Sequence, residues 1–170
     1  MTSLARQRAP RLSLQRLLVG AIVLFFFLFG LVRVGVGALM FAAANGWWTA
    51  TGEMAEGLAQ VAPFLAERAD RALVFAFTPA SYFLVIMAMG VVLVAGAMSW
   101  WRGARRRGVT LIFAYLALHG GLFLNYLEVN PKLLLWGVTV AMWGVLVLTA
   151  RPQRVSGIAR HGLGAHRPFA

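Results

Sequence analysis

The stretch "LFGLVRVGVGALM", residues 28–40, sets one arginine inside an apolar run that extends from about residue 17 to residue 44. A helix needs roughly 20 mostly apolar residues to cross the hydrocarbon core of a bilayer. The run therefore reads as a membrane span, and Arg33 as a charge within it. Composition agrees: the 170 residues are 61% hydrophobic with a mean hydropathy of +0.76, more apolar surface than a soluble domain of this size can hide. One membrane domain is the economical count.

Three further stretches reach spanning length or nearly so, and the four expected spans are 17–44, 78–98, 109–127 and 132–149. Trp47 and Trp48 follow the first and Trp100 and Trp101 the second, in the manner of aromatic belts at a membrane surface. The second opens "FTPAS", where Thr78 can cap and Pro79 suits the first helical position. "EVNPK" punctuates the last two spans with Asn130 and Pro131. The expected fold is all-α, with four transmembrane helices: a basic N-terminus over 1–16, the membrane domain over 17–149 and a flexible basic tail over 150–170.

The net charge of +11 on a soluble fold points to nucleic acid, but here the basic residues flank apolar segments, so no nucleic-acid partner is expected. Arg6, Arg8, Arg11 and Arg16 precede the first span; Arg102, Arg105, Arg106 and Arg107 join the second and third; Arg151, Arg154, Arg160 and Arg167 follow the fourth. All twelve fall on one side, which the positive-inside rule makes cytoplasmic. The expectation is a multi-pass protein of the inner (plasma) membrane with both termini cytoplasmic. The other side receives Arg68, Arg71, Lys132 and all five acids, Glu53, Glu56, Glu67, Asp70 and Glu128. Arg33 alone is left between the two sides. "RLSLQRLL" before the apolar core and "FAAANG" after it have the outline of a cleaved signal peptide, but the apolar stretch is about twice the usual length and holds an arginine, so an uncleaved first helix is the better reading.

The outer loop, 45–77, carries Met54, Leu58, Val61 and Leu65 at helical spacing with Glu53, Glu56, Gln60 and Glu67 on other faces. This predicts an amphipathic helix on the membrane surface or across the end of the bundle, kinked or split at Pro63. It is either a packed connector or a docking surface for a partner.

Inside the membrane, Arg33 costs at least ~2.5 kcal/mol unless it is paired or hydrated. Gly30 and Gly37, its neighbours at i−3 and i+4, turn it toward other helices. Counted from residue 17, Arg33 lies at a depth of about 24 Å; counted from residue 109, His119 lies at about 15 Å and Asn125 and Tyr126 at about 24 Å. Glu128 lies just beyond. Tyr115, His119, Leu122 and Tyr126 form a stripe on the third span, and Tyr82 and Trp136 fall at comparable depths. The candidate site is thus a polar cluster of Arg33, His119, Asn125, Tyr126, Glu128 and Tyr82, with Arg33 bonded to Asn125, Tyr126 or Glu128. It either receives an anionic or quinone-like ligand or pins two helices through Arg33 and Glu128.

Other chemistry is thinly represented. There is no cysteine, which excludes disulfides, thiolate metal sites and thiol redox chemistry. A haem on His119 lacks a second intramembrane histidine, leaving only Met87, Met89 or Met142 as partner. No catalytic residues, metal ligands or nucleotide loop are identified, and the residues name no cofactor. "ARRRG" is a positive-inside signal or a binder of anionic headgroups.

"LVRVGVGALMFAAANGW" resembles the arginine- and glycine-containing first helix of the DoxX-like small four-helix membrane proteins, and "FTPASYFLVIMAMGVVLVAGAMSWWRGARR" resembles their proline-started second helix with a basic exit. The resemblance covers about half of the chain and implies a respiratory or quinone-linked membrane component. The chain departs from that pattern where the second helix carries Met87, Ala88 and Met89 in place of an acid.

The leading expectation is a non-enzymatic integral subunit or accessory protein of a larger inner-membrane assembly, with a membrane-protein partner or a homo-oligomer. The alternative is a small ligand-handling protein, a transporter or a quinone-linked component, using the cluster around Arg33. A membrane enzyme ranks third.

Overall fold

The computed structural model describes residues 14–126 and 131–150. Glu128, Asn130 and the basic terminal segments, including the expected flexible tail, lie outside the described residues. Five helices follow one another: α1 (Leu14–Ala44), α2 (Glu53–Arg68), α3 (Pro79–Trp101), α4 (Arg105–Tyr126) and α5 (Lys132–Ala150), with a short 3-10 turn, Ala69–Arg71, after α2. Four of them, α1, α3, α4 and α5, are long and apolar enough to cross a membrane. The chain is therefore a multi-pass membrane protein, and among the described residues it is all-helical, with no strand.

Two helix ends are set by glycine. α3 closes on Gly103, whose φ of 84° needs no Cβ, with Ala104 N–H donating to the Ser99 carbonyl (2.9 Å) and Gly103 N–H to that of Trp100 (3.0 Å). Gly46 (φ 73°) ends α1 in the same way, with Trp47 N–H on the Ala42 carbonyl (2.9 Å). α3 begins as its sequence predicts: Thr78 Oγ1 accepts from Ser81 N–H (3.2 Å), Ser81 Oγ accepts from Thr78 N–H (2.9 Å), and Pro79 opens the helix. α2 runs unbroken through Pro63, so the expected split does not occur; Pro63 and Ala59 are both exposed, so water can reach the Ala59 carbonyl that loses its helical donor. Met54, Leu58, Val61 and Leu65 of α2 are half-buried or buried, while Glu53, Glu56, Gln60 and Glu67 are exposed.

In a bilayer, helices associate through close packing and not through exclusion of water, and glycine decides where the closest approaches fall. α1 and α3 run antiparallel and cross with Gly30 against Gly90 and Gly37 against Met87. A Cβ on Gly90 would lie 2.8 Å from the Gly30 carbonyl oxygen, 2.8 Å from Val34 N and 2.9 Å from the Cβ of Arg33. On another face of α3, Gly96 meets Gly108 and Ile112 of α4. Two tryptophans then fasten α5 to α4: Trp136 Nε1–H donates to the Leu116 carbonyl (3.1 Å) and Trp143 Nε1–H to that of Val109 (3.0 Å). The helices form the row α1, α3, α4, α5, and α1 and α5 scarcely touch.

The core is Ile22, Val23, Phe26, Met89, Leu93, Ala97, Ile112, Tyr115, Leu116 and Leu146, with Trp100. Trp100 is thus a buried packing residue and not an interfacial anchor, while Trp101 is exposed. The pairing of Gly30 with Gly90 and of Gly37 with Met87 sets Ala44 level with Pro79 and residue 22 level with Trp101. The first eight residues of α1 consequently run past the end of α3, and all but the half-buried Val19 are exposed.

Candidate functional site

Arg33 faces inward because the Gly30–Gly90 crossing brings the α1 backbone against α3 on that side and sends the guanidinium past α3 toward α4. There its Nη2 lies 3.5 Å from His119 Nε2, a long bond at the limit of hydrogen-bonding distance. His119 Nδ1 is 3.1 Å from the Tyr115 hydroxyl, one helical turn earlier. The proton positions follow from the inventory of donors. Arginine only donates, so Nε2 accepts, and a neutral imidazole then carries its proton on Nδ1 and donates to the Tyr115 oxygen. The chain of bonds runs Arg33 to His119 to Tyr115.

Aromatic rings surround the cation. Its Cζ lies 4.9 Å from the Phe29 ring centroid and 5.4 Å from that of Tyr115, contacts in which the ring faces attract positive charge. Phe123 stacks on His119 at 5.2 Å. Arg33 Nε and Nη1 are buried and have no hydrogen-bond partner. Among the described residues the ion pair formed is Arg68 with Glu67 (3.6 Å), remote from this centre, and no group of three His, Asp or Glu side chains converges.

Asn125 and Tyr126, the expected partners of Arg33, are engaged elsewhere. Asn125 Oδ1 accepts from Val74 N–H and Phe75 N–H (both 3.0 Å), its Nδ2 donates to the Phe75 carbonyl (2.9 Å), and its own carbonyl accepts from Leu73 N–H (2.9 Å). The Tyr126 hydroxyl accepts from Phe77 N–H at 3.5 Å. Together they clamp the non-helical segment 73–77 onto the end of α4. Tyr82 joins the same neighbourhood, its ring 6.3 Å from Phe77, which in turn lies 6.3 Å from Tyr126. Glu128 lies outside the described residues.

The reason for the difference is register. Counting depth from residue 17 includes turns of α1 that run past α3, which moves Arg33 too far along the membrane by several ångströms. In the packed bundle Arg33 is level with Gly90, within one turn of His119's own depth, and Asn125 is level with the last turn of α1. Of the six candidate residues, Arg33 and His119 come together. Asn125, Tyr126 and Tyr82 form a second, structural group. Phe29 and Tyr115, left out of the expected site, each stand four positions before a member of it; helical spacing had already set Tyr115 on the stripe of His119, and the same spacing from Arg33 finds Phe29.

Two apolar cavities flank α4. One, about 610 Å³, opens between α3 and α4 beneath segment 73–77 and is walled by Phe75, Phe77, Val85, Leu118 and Leu122. The other, about 450 Å³, lies between α4 and α5 and is walled by Leu116, Gly120, Phe123, Trp136 and Val140. Phe123 lines this second cavity and stacks on His119, while Arg33 and His119 themselves line neither cavity.

Comparison of the chain with known protein families, with curated proteins and with solved structures gives no match.

Proposed function

We propose that this protein is a small ligand-handling membrane protein whose working centre is Arg33 with His119 and Tyr115. The observation that carries this reading is the pair of buried, unpartnered nitrogens on Arg33. Buried donors in folded proteins are almost always satisfied, and an exception at a charged group inside a membrane span points to a group that arrives from outside the chain. A helix tie predicts a saturated arginine; this one offers Nε and Nη1 to a guest. The sequence resemblance to DoxX-like proteins leans the same way, since it implies a quinone-linked component. We place the protein in the plasma membrane with the Arg105 end of the bundle in the cytoplasm. The support is that Arg16, Arg102, Arg105, Arg106 and Arg107 gather at that end.

The experiment is a parallel purification of wild type and Arg33→Ala in mild detergent, with co-purifying proteins and small molecules identified by mass spectrometry. A lipid, organic anion or quinone present in wild type and lost from the correctly folded variant supports the reading. Identical small-molecule content in both removes it.

The second reading is the integral subunit of a larger assembly. It is favoured by α5, where Gly137, Ala141 and Gly144 make a small-residue face, with nothing near an added Cβ at Gly137 or Gly144. A partner protein that persists in Arg33→Ala and is lost from Gly137→Leu supports it.

A further inference from the structure

We infer that the ligand of the Arg33 centre is a single-chain acidic amphiphile, a carboxylate or phosphate monoester, with its head on Arg33 and its tail in the cavity between α4 and α5. The inference rests on the ligand-handling reading above and names the class of ligand.

The head group follows from charge. A guanidinium stays protonated in any protein setting. Its nearest polar partner, His119, accepts through Nε2 and is therefore neutral, and none of the described carboxylates pairs with it. A neutral quinone or alcohol can satisfy N–H groups but leaves the positive charge uncompensated in a low-dielectric span, whereas an anion satisfies both. Phe29 and Tyr115 pack against the guanidinium, so the donors that remain are at Nε and Nη1, and a carboxylate or phosphate meets such donors in the plane of the group. The 3.5 Å bond to His119 is weak enough to yield to a better acceptor.

The tail follows from position. Arg33 stands well inside a 31-residue helix that is long and apolar enough to cross a membrane, so a guest soluble in the bilayer is the kind that reaches it. Beside the centre, the α4–α5 cavity of about 450 Å³ falls within the ~300–1,000 Å³ of pockets that hold small molecules. Its wall residue Phe123 stacks on His119, which puts the cavity one side chain away from the polar centre.

The test uses the full chain in a neutral detergent and measures equilibrium binding of four probes: dodecanoate, dodecyl phosphate, dodecanol and a decyl-substituted benzoquinone, with butyrate as the tail-less acid. The expected result is saturable binding of dodecanoate and dodecyl phosphate, weaker by about 10–100-fold in Arg33→Gln, and little binding of dodecanol or butyrate. A second variant, Leu124→Trp, places bulk on a wall residue of the α4–α5 cavity that does not line the α3–α4 cavity and is 67% exposed, outside the packed core. It is expected to weaken dodecanoate binding with Arg33 intact. Arg33-dependent binding of the quinone without binding of the acids overturns this inference and keeps the ligand-handling reading. Binding of dodecanoate that ignores both substitutions, or matches that of dodecanol, overturns the inference. Absence of Arg33-dependent binding for every probe overturns both.

Discussion

Replacing Gly90 by alanine tests whether the α1–α3 crossing holds the bundle and aims Arg33. The new methyl would sit 2.8 Å from the Gly30 oxygen and Val34 nitrogen and 2.9 Å from Arg33 Cβ, where ordinary contacts begin at 3.4 Å. Two of these three atoms are backbone, and the third is a Cβ, so no flexible side chain can yield. The helices must part by roughly 0.5–1 Å, a gap that forfeits a quarter to a half of the dispersion energy of each contact it opens. Overpacking of this kind costs about 1–3 kcal/mol. For a chain of this length 1 kcal/mol corresponds to about 2–4 °C in Tm, so the melting temperature is expected to fall by roughly 2–12 °C. Gly35→Ala is the control: it lies on the same helix as Gly30, with nothing within 4 Å of an added Cβ, and is expected to leave Tm unchanged or raise it slightly. The assay is thermal unfolding followed by tryptophan fluorescence in one detergent. Equal melting of wild type, Gly90→Ala and Gly35→Ala would refute the crossing as described.

Arg33→Met is expected to leave the Tm of ligand-free protein within a few degrees of wild type, because removing a charge that costs at least ~2.5 kcal/mol in a span offsets the loss of ring contacts worth about 0.5–2 kcal/mol; a large fall identifies the arginine as a helix tie. Asn125→Leu strands the amide hydrogens of Val74 and Phe75, so hydrogen exchange there is expected to accelerate by about 10-fold or more, with α1 unaffected; unchanged exchange contradicts the clamp. Thr78→Ala removes a cap worth about 1 kcal/mol, with Thr78→Ser close to neutral, both read as Tm.

The spans were legible in the sequence because hydropathy over some twenty residues overrides local detail, and the start of α3 was legible because Thr78, Pro79 and Ser81 act within one turn. The inward face of Arg33 was legible from Gly30 and Gly37 for the same reason: helical spacing is local. Its partner was not. Depth counted along one helix says nothing of how far that helix slides against the next, and the slide of α1 is fixed by Gly90, some sixty residues on. Asn125 was misassigned because its partners are main-chain groups of segment 73–77, about fifty residues away. A backbone amide leaves no mark in the pattern of side chains.

The length of α1 sets a condition on the membrane itself. Its 31 residues span about 46 Å, against a hydrocarbon core of about 30 Å, while the 23 residues of α3 and the 22 of α4 come close to matching that core. A lone helix relieves such a mismatch by tilting. α1 is locked to α3 along its length from the Trp101 level to Ala44, so it can lean only as far as the whole bundle leans. The surplus is therefore delivered at one end, where Leu14, Leu17 and Leu18 stand 82%, 54% and 51% exposed around Arg16. These turns carry exposed leucines beyond the end of α3, and a bilayer that covers them does so by thickening on that side or by a lean of the whole bundle.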